Sequence, residues 1–157
     1  MKICLLVTAK TEDGYIRSGV EEYLKRLRHY IPVEVLVIPD NRQTKNLAGT
    51  QRKEREGELI LKYLDDSDRV VLLDEKGREF TSRGFSDFLS QKMLAGTKRL
   101  VFIAGGPYGF SDRVYQRAQE KIALSQMTFS HQMVRVIFLE QLYRAFTIIK
   151  GESYHHE

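Results

Sequence analysis

The sequence predicts a one-domain α/β protein with a mainly parallel sheet of five to six strands and helices on both faces. Short apolar runs recur at 2–9, 33–38, 70–73, 99–103 and 122–124, separated mostly by stretches of helical periodicity. The central run, Val70-Val71-Leu72-Leu73, has no polar alternation, which suits a parallel strand covered on both sides. The chain of 157 residues, 42% hydrophobic and 29% charged, is the size of one core, and no repeat, low-complexity tract or linker divides 1–157.

The first strand is read as Lys2–Ala9. Ile16–Tyr30 follows as an amphipathic helix, with Val20, Tyr23, Leu24 and Leu27 on one face. Val33–Ile38 is the second strand, closed by Pro39-Asp40-Asn41, and the polar stretch Asn41–Gly49 reads as a mobile loop. Gln51–Leu64 is helical, its charged front leading into Leu59, Ile60, Leu61 and Leu64. After Val70–Leu73 the chain is expected to turn at Asp74-Glu75-Lys76-Gly77. Thr81-Ser82 then caps a helix over Arg83–Leu94 that ends at Gly96. Arg99–Ile103 is the fourth strand, Ser111-Asp112 starts a short helix, and Ile122-Ala123-Leu124 is the fifth strand. One long helix, from about His131 to Ile149, is stopped by Gly151.

Composition narrows the function class. Cys4 is the only cysteine, so no intrachain disulfide forms, and between Ile3 and Leu5 it reads as a buried strand residue. The cytoplasm is the default location. No apolar run approaches the roughly 20 residues of a membrane span, and the N-terminus lacks the long apolar region of a signal peptide. Twenty-five basic and 21 acidic residues give +4 and a pI near 9.2, which permits a polyanionic partner without requiring one.

In parallel sheets ligands sit beyond the C-terminal strand ends, which singles out Leu73-Asp74, Ile103–Gly106 and Leu124–Ser130. The turn Ala104-Gly105-Gly106-Pro107-Tyr108-Gly109 lets backbone approach a ligand with no Cβ in the way, although strand–Gly-Gly–Pro is also a common tight turn. A dinucleotide fingerprint is absent, because the first strand ends in Thr8-Ala9-Lys10-Thr11 without a glycine run. A Gly-Lys-Ser/Thr phosphate loop is absent too. An oxidoreductase reading therefore lacks its dinucleotide.

On a helical wheel, 131–149 is apolar over a broad arc (Val134, Val136, Phe138, Leu139, Leu142, Tyr143, Phe146, Ile149), wider than one sheet contact needs. Glu140, Gln141 and Arg144 group on the other side with Ile137 and Ile148, and a homodimer is expected. Glu140 stands four residues before Arg144, a spacing that suits a surface ion pair. Arg135 falls near the middle of the apolar arc, where it needs either a structural partner or an anion such as RNA phosphate. His131 reads as a residue beside a helix cap formed by Ser130 or Thr128, or as an RNA contact. Lys45, Arg52, Lys53 and Arg55 are candidate phosphate contacts, or simply a solvated helix face. His155 and His156 are adjacent and cannot comfortably share one ion, so no metal is expected.

The segments Phe102–Gly109, Leu124–His131, Val134-Arg135, Glu140–Ala145 and Tyr154–Glu157 resemble the bacterial ribosomal RNA large subunit methyltransferase H family. The likeness covers the whole chain in length and element order, and its most specific motifs are C-terminal. It implies a SPOUT-type α/β fold with a C-terminal trefoil knot, which general rules of topology would not propose. It implies a homodimer, S-adenosyl-L-methionine as cofactor, and methylation of N3 of a pseudouridine in 23S ribosomal RNA of the ribosome or large subunit. The cofactor is expected against Leu73, Gly105, Gly106, and the run Leu124, Ser125, Gln126, Met127, Thr128, Phe129 and Ser130. His155, Tyr154 and Arg144 are the expected catalytic residues, and Arg135, His131 and Lys53 the expected RNA contacts. A non-catalytic RNA-binding dimer, or a SPOUT enzyme acting on transfer RNA or on a ribose hydroxyl, remains as an alternative.

Overall fold

The computed structural model describes residues 1–40 and 42–156, so Asn41 and Glu157, both named above, lie outside the described residues. Five strands form one all-parallel sheet: β1 (Lys2–Thr8), β2 (Val33–Ile38), β3 (Arg69–Glu79), β4 (Arg99–Ala104) and β5 (Glu120–Ala123), in the order β2-β1-β4-β3-β5. The helices are α1 (Gly14–Leu27), α2 (Arg42–Asn46), α3 (Gly49–Lys62), α4 (Ser82–Leu94), α5 (Asp112–Arg117) and α6 (Met133–Ile149).

Alternate side chains of each strand feed two cores, as the period of two demands. Ile3, Leu5, Val71, Leu100 and Phe102 point to the face covered by α1, α4 and α6, where Phe102 meets Phe138 with ring centroids 4.7 Å apart. Cys4, Leu6, Val70, Leu72, Val101 and Ile103 point to the other face, with Ile60 of α3 and Val114 of α5. Cys4 is fully buried, and burial pushes its thiol above the ordinary value. That leaves it inert.

Caps fall where side-chain chemistry places them. Thr81 Oγ1 accepts from Gly84 N at 3.0 Å, and Ser111 Oγ accepts from Val114 N. Gly96 and Gly151 end their helices at φ +76° and +69°.

Two sequence expectations need correction. The stretch after Pro39 is not wholly loop, because 42–46 is a short helix with Thr44 buried against the body. The residues 74–77 do not end the third strand. Leu73 and Arg78 both pair with Ile122, so the chain bulges outward between them and then resumes pairing, Glu79 with Ala123. Gly77 permits this, since a Cβ there would stand 2.6 Å from the backbone of Ile122.

Candidate functional site

Two adjoining cavities lie along the C-terminal rim of the sheet. The larger, about 710 Å³, opens where β3, β4 and β5 end. The bulge of β3 contributes Leu73, Asp74, Glu75 and Lys76; the turn after β4 contributes Ala104 to Phe110; the segment after β5 contributes Leu124, Ser125 and Met127 to His131. Lys53 reaches it from α3, Asp112 and Tyr115 from α5, and Val134 from α6.

Local chemistry fixes each wall. The turn after β4 closes by a hydrogen bond from Gly109 N to Gly106 O, 3.2 Å, with Gly109 at φ +78°. At Gly105 a Cβ would meet Phe110 at 2.9 Å, so the ring of Phe110 packs directly against the backbone. Ser125 Oγ accepts from Met127 N at 3.0 Å and bends the third wall. Ser130, rather than Thr128, opens the long helix, its Oγ accepting from Met133 N at 3.1 Å.

The charges at the cavity are of both signs. Tyr115 donates its hydroxyl proton to Asp74 at 2.5 Å, and burial together with that carboxylate pushes the phenol up to about 12. The phenol therefore stays protonated at neutral pH and aims the carboxylate. On α3, Arg52 is ion-paired to Glu56 at 3.1 Å and lies over the Tyr108 ring, 5.5 Å from its centroid. Glu56 in turn lies against Gly106, where a Cβ would stand 2.9 Å from Oε2.

Nine of the ten residues expected to hold the cofactor line this cavity. Gln126 does not, and is exposed. Lys53 and His131, expected at RNA, also line it. Sequence reasoning pointed to the strand end at Leu73-Asp74 but missed Glu75 and Lys76 as a wall, because the bulge reads as an ordinary turn. It also missed Tyr115, whose partner is 41 residues away.

Arg135 resolves toward a structural role. It is 1% exposed, with Nη1 donating to Thr11 Oγ1 at 2.9 Å, Nη2 to Thr8 O at 2.8 Å and Nε to His131 O at 3.2 Å. Burial lowers its pKa from the ordinary guanidinium value, with Glu12 opposing. Among the described residues no ion pair holds it; three uncharged oxygens do, and a side chain so enclosed presents nothing to RNA phosphate. Gln132 completes the clamp, donating to Lys10 O and accepting from Glu12 N, both 3.1 Å. Replacing Arg135 by Met should cost about 2–3 kcal/mol, because hydrogen bonds to a charged donor are lost and acceptors are left buried. Chemical denaturation of the variant checks this.

The C-terminal residues gather at the other end of α6. Arg144 donates to Glu140 at 2.6 Å, Tyr154 donates to the same carboxylate at 3.2 Å, and the Arg144 guanidinium lies 4.9 Å from the Tyr154 ring centroid. Tyr154 packs edge-on against Tyr143, centroids 4.8 Å apart, and burial first, then the hydrogen bond to Tyr23, push its phenol up to about 12. His155 Nδ1 lies 3.3 Å from Arg144 Nη1. A guanidinium only donates, so Nδ1 is the acceptor, and in the neutral ring the proton sits on Nε2. The expected catalytic trio is thus brought together, but not at the cavity: none of the three lines either cavity. His131 and Arg144 are separated by about 20 Å along the helix axis.

Among the described residues no cluster of His, Cys, Asp and Glu suited to a metal occurs, and no helix is long and apolar enough to cross a membrane.

The model of a family described as "Predicted SPOUT methyltransferase" matches residues 1–155. Among curated proteins, the ribosomal RNA large subunit methyltransferase H of Parabacteroides distasonis is 60% identical over 157 residues, covering all of both chains. The protein of that name from Cytophaga hutchinsonii is 56% identical over 156 residues, 99% of this chain and all of the relative. That from Christiangramia forsetii is 54% identical over 156 residues, 99% of each.

Proposed function

Because the chain belongs to the SPOUT methyltransferase family, we propose that it methylates ribosomal RNA of the large subunit, using S-adenosyl-L-methionine, at N3 of a pseudouridine. The observation that carries the reading is the 710 Å³ cavity at three strand ends, walled by glycine backbone on one side and charges of both signs on the other. The volume lies within the range of small-molecule sites, and at Gly105 and Gly106 the places of a Cβ are taken by Phe110 and Glu56, which leaves bare backbone in the cavity wall. Tyr115, Asp74 and Lys53 stand where a ligand bearing an ammonium and a carboxylate finds partners. The residues present fit the cofactor, which when bound supplies an electrophilic methyl group on a positively charged sulfur.

The remaining work belongs to the protein. Little net charge builds up in such a transfer, so positioning and exclusion of water dominate. The acceptor nitrogen must lose its proton, and a placed base or an anion-stabilising donor contributes about 10²–10⁴-fold. Tyr154, His155 and Arg144 have the right chemistry, yet in one chain they lie a helix length from the cavity. A second copy packed antiparallel along α6 brings its tail to this cavity. The outward stripe Ile137, Gln141, Arg144 and Ile148, spaced at helical intervals and half-buried, belongs to neither core and offers that contact. His155 and the Arg144 guanidinium beside its Nδ1 are the groups that would meet the acceptor base once the tail reaches it. The enzyme then works where ribosomes are, in the cytoplasm.

The test is transfer of label from the methyl-labelled cofactor to ribosomes from cells lacking the endogenous activity, with the modified nucleoside mapped by mass spectrometry. Label in N3-methylpseudouridine of 23S RNA is expected. No label would favour a non-catalytic RNA-binding dimer, and label in transfer RNA or on a ribose would redirect the substrate. Gly105→Val, which pushes a branched side chain toward Phe110, should weaken cofactor binding at least about tenfold by calorimetry.

A further inference from the structure

Among the described residues six large apolar side chains are exposed, and three of them, Tyr108, Met127 and Phe129, line the larger cavity. Scattered exposed apolar residues are ordinary, but several around one opening mark a binding surface. Tyr108 is 47% exposed and stands at the tip of the turn that Gly109 N closes onto Gly106 O. Pro107 before it fixes φ, so the tip is presented with little freedom.

One face of the ring is braced. The Arg52 guanidinium lies over it, 5.5 Å from the centroid, and is itself held by Glu56 at 3.1 Å and Asp40 at 3.6 Å. With its charge matched by those carboxylates, Arg52 serves the ring as a support and not as a contact for substrate. A ring covered on one side and nearly half exposed keeps its other face open to solvent. Lys53, the next residue of α3, lines the same cavity and is the cation that a phosphate beside the ring would meet.

We propose that Tyr108 is a stacking platform for a nucleobase of the RNA, one flanking the base whose nitrogen is methylated. The proposal rests on the ribosomal RNA reading above. An enzyme acting on a ring nitrogen takes the target base out of its stack, so the bases on either side each lose a stacking partner. Aromatic side chains receive unstacked RNA bases, and they do so through the ring face with little regard to base identity. The target goes to the methyl donor and the tail inside the larger cavity, and Tyr108 at the edge of that cavity meets the strand as it enters. The competing occupant of the ring is the adenine of the cofactor, which the test separates from an RNA base.

Two measurements test it. The chain has no tryptophan, so Tyr108→Trp places a single indole at the platform, and a base stacked on it quenches its fluorescence. The full-length variant, saturated with S-adenosylhomocysteine, is titrated with a short single-stranded RNA and with the same backbone carrying abasic sugars. Further quenching by the RNA and none by the abasic strand is expected. Equal quenching by both strands, quenching already complete with S-adenosylhomocysteine alone, or none at all would overturn the platform. In the second measurement, Tyr108→Leu should raise KM for ribosomes about tenfold, the effect of one lost base–aromatic stack. Its kcat and its cofactor affinity by calorimetry should stay within about twofold of wild type, the pattern of lost uniform binding. Tyr108→Phe keeps the ring and should restore the wild-type KM. An equal rise in Tyr108→Phe, an unchanged KM in Tyr108→Leu, or a matching loss of its cofactor affinity would overturn the proposal. Base-dependent quenching together with a wild-type protein that labels no ribosomal RNA would keep the platform and overturn only the reaction assigned above.

Discussion

Deleting Ser153–Glu157 is expected to lower methyl transfer by at least about 100-fold while cofactor affinity stays nearly intact. The magnitude follows from removing Tyr154 and His155, the residues proposed to handle the acceptor's proton. The insensitivity of binding follows from geometry, because Tyr154 and His155 line neither cavity of their own chain. A mixing experiment tells whose tail serves which cavity. The truncated chain is combined in equal amount with Gly105→Val, which keeps its tail but not its cofactor seat. If tails cross between protomers of a symmetric dimer, half of the dimers are mixed and each has one complete site, giving about a quarter of wild-type activity. If each tail served its own cavity, no dimer in the mixture would have a complete site, and activity would stay at the background of the two parents.

The second large effect is expected at Gly77→Ala. An added Cβ would lie 2.6 Å from the N and C atoms of Ile122 and 2.7 Å from its Cα, and that backbone cannot move aside as a flexible side chain does. Overpacking of this kind costs about 3 kcal/mol, or roughly 6–12 °C in Tm for a chain of this size. The damage should not stop at stability. Ile122 leads directly into Leu124 and Ser125, and the bulge of β3 carries Asp74 and Lys76, so two walls of the larger cavity shift together. Cofactor affinity and Tm should therefore fall in the same variant. Gly14→Ala, where nothing lies within 4 Å, is the control that should change neither.

Much of this arrangement was legible in the chain. Val70–Leu73 and Leu100–Ile103 announce central strands because buried parallel strands need apolar residues on both faces. The three strand ends that wall the larger cavity follow from that sheet alone. What was not legible depends on contacts far apart in sequence. The bulge at 74–77 carries turn-forming residues whatever its neighbour does, and only Ile122 on β5 shows that pairing resumes at Arg78. Arg135 looked equally suited to an anion or a structural partner, since periodicity reports that a side chain faces inward but not what awaits it there. The short helix at 42–46 is held by burial of Thr44, which no local pattern signals. Knotted threading, implied only by family likeness, leaves no periodic trace at all.

The clamp formed by Arg135 and Gln132 joins residues 8–12 to the start of the last helix, across 120 to 127 positions of chain. Contacts this distant form late, because long loops must close before they are rewarded. During synthesis the wall that His131 and Val134 give the larger cavity stays unset until the final helix has emerged and swung back to the beginning. A half-made chain, held beside ribosomal RNA by its own translation, therefore has no finished site with which to act on the particle that is making it.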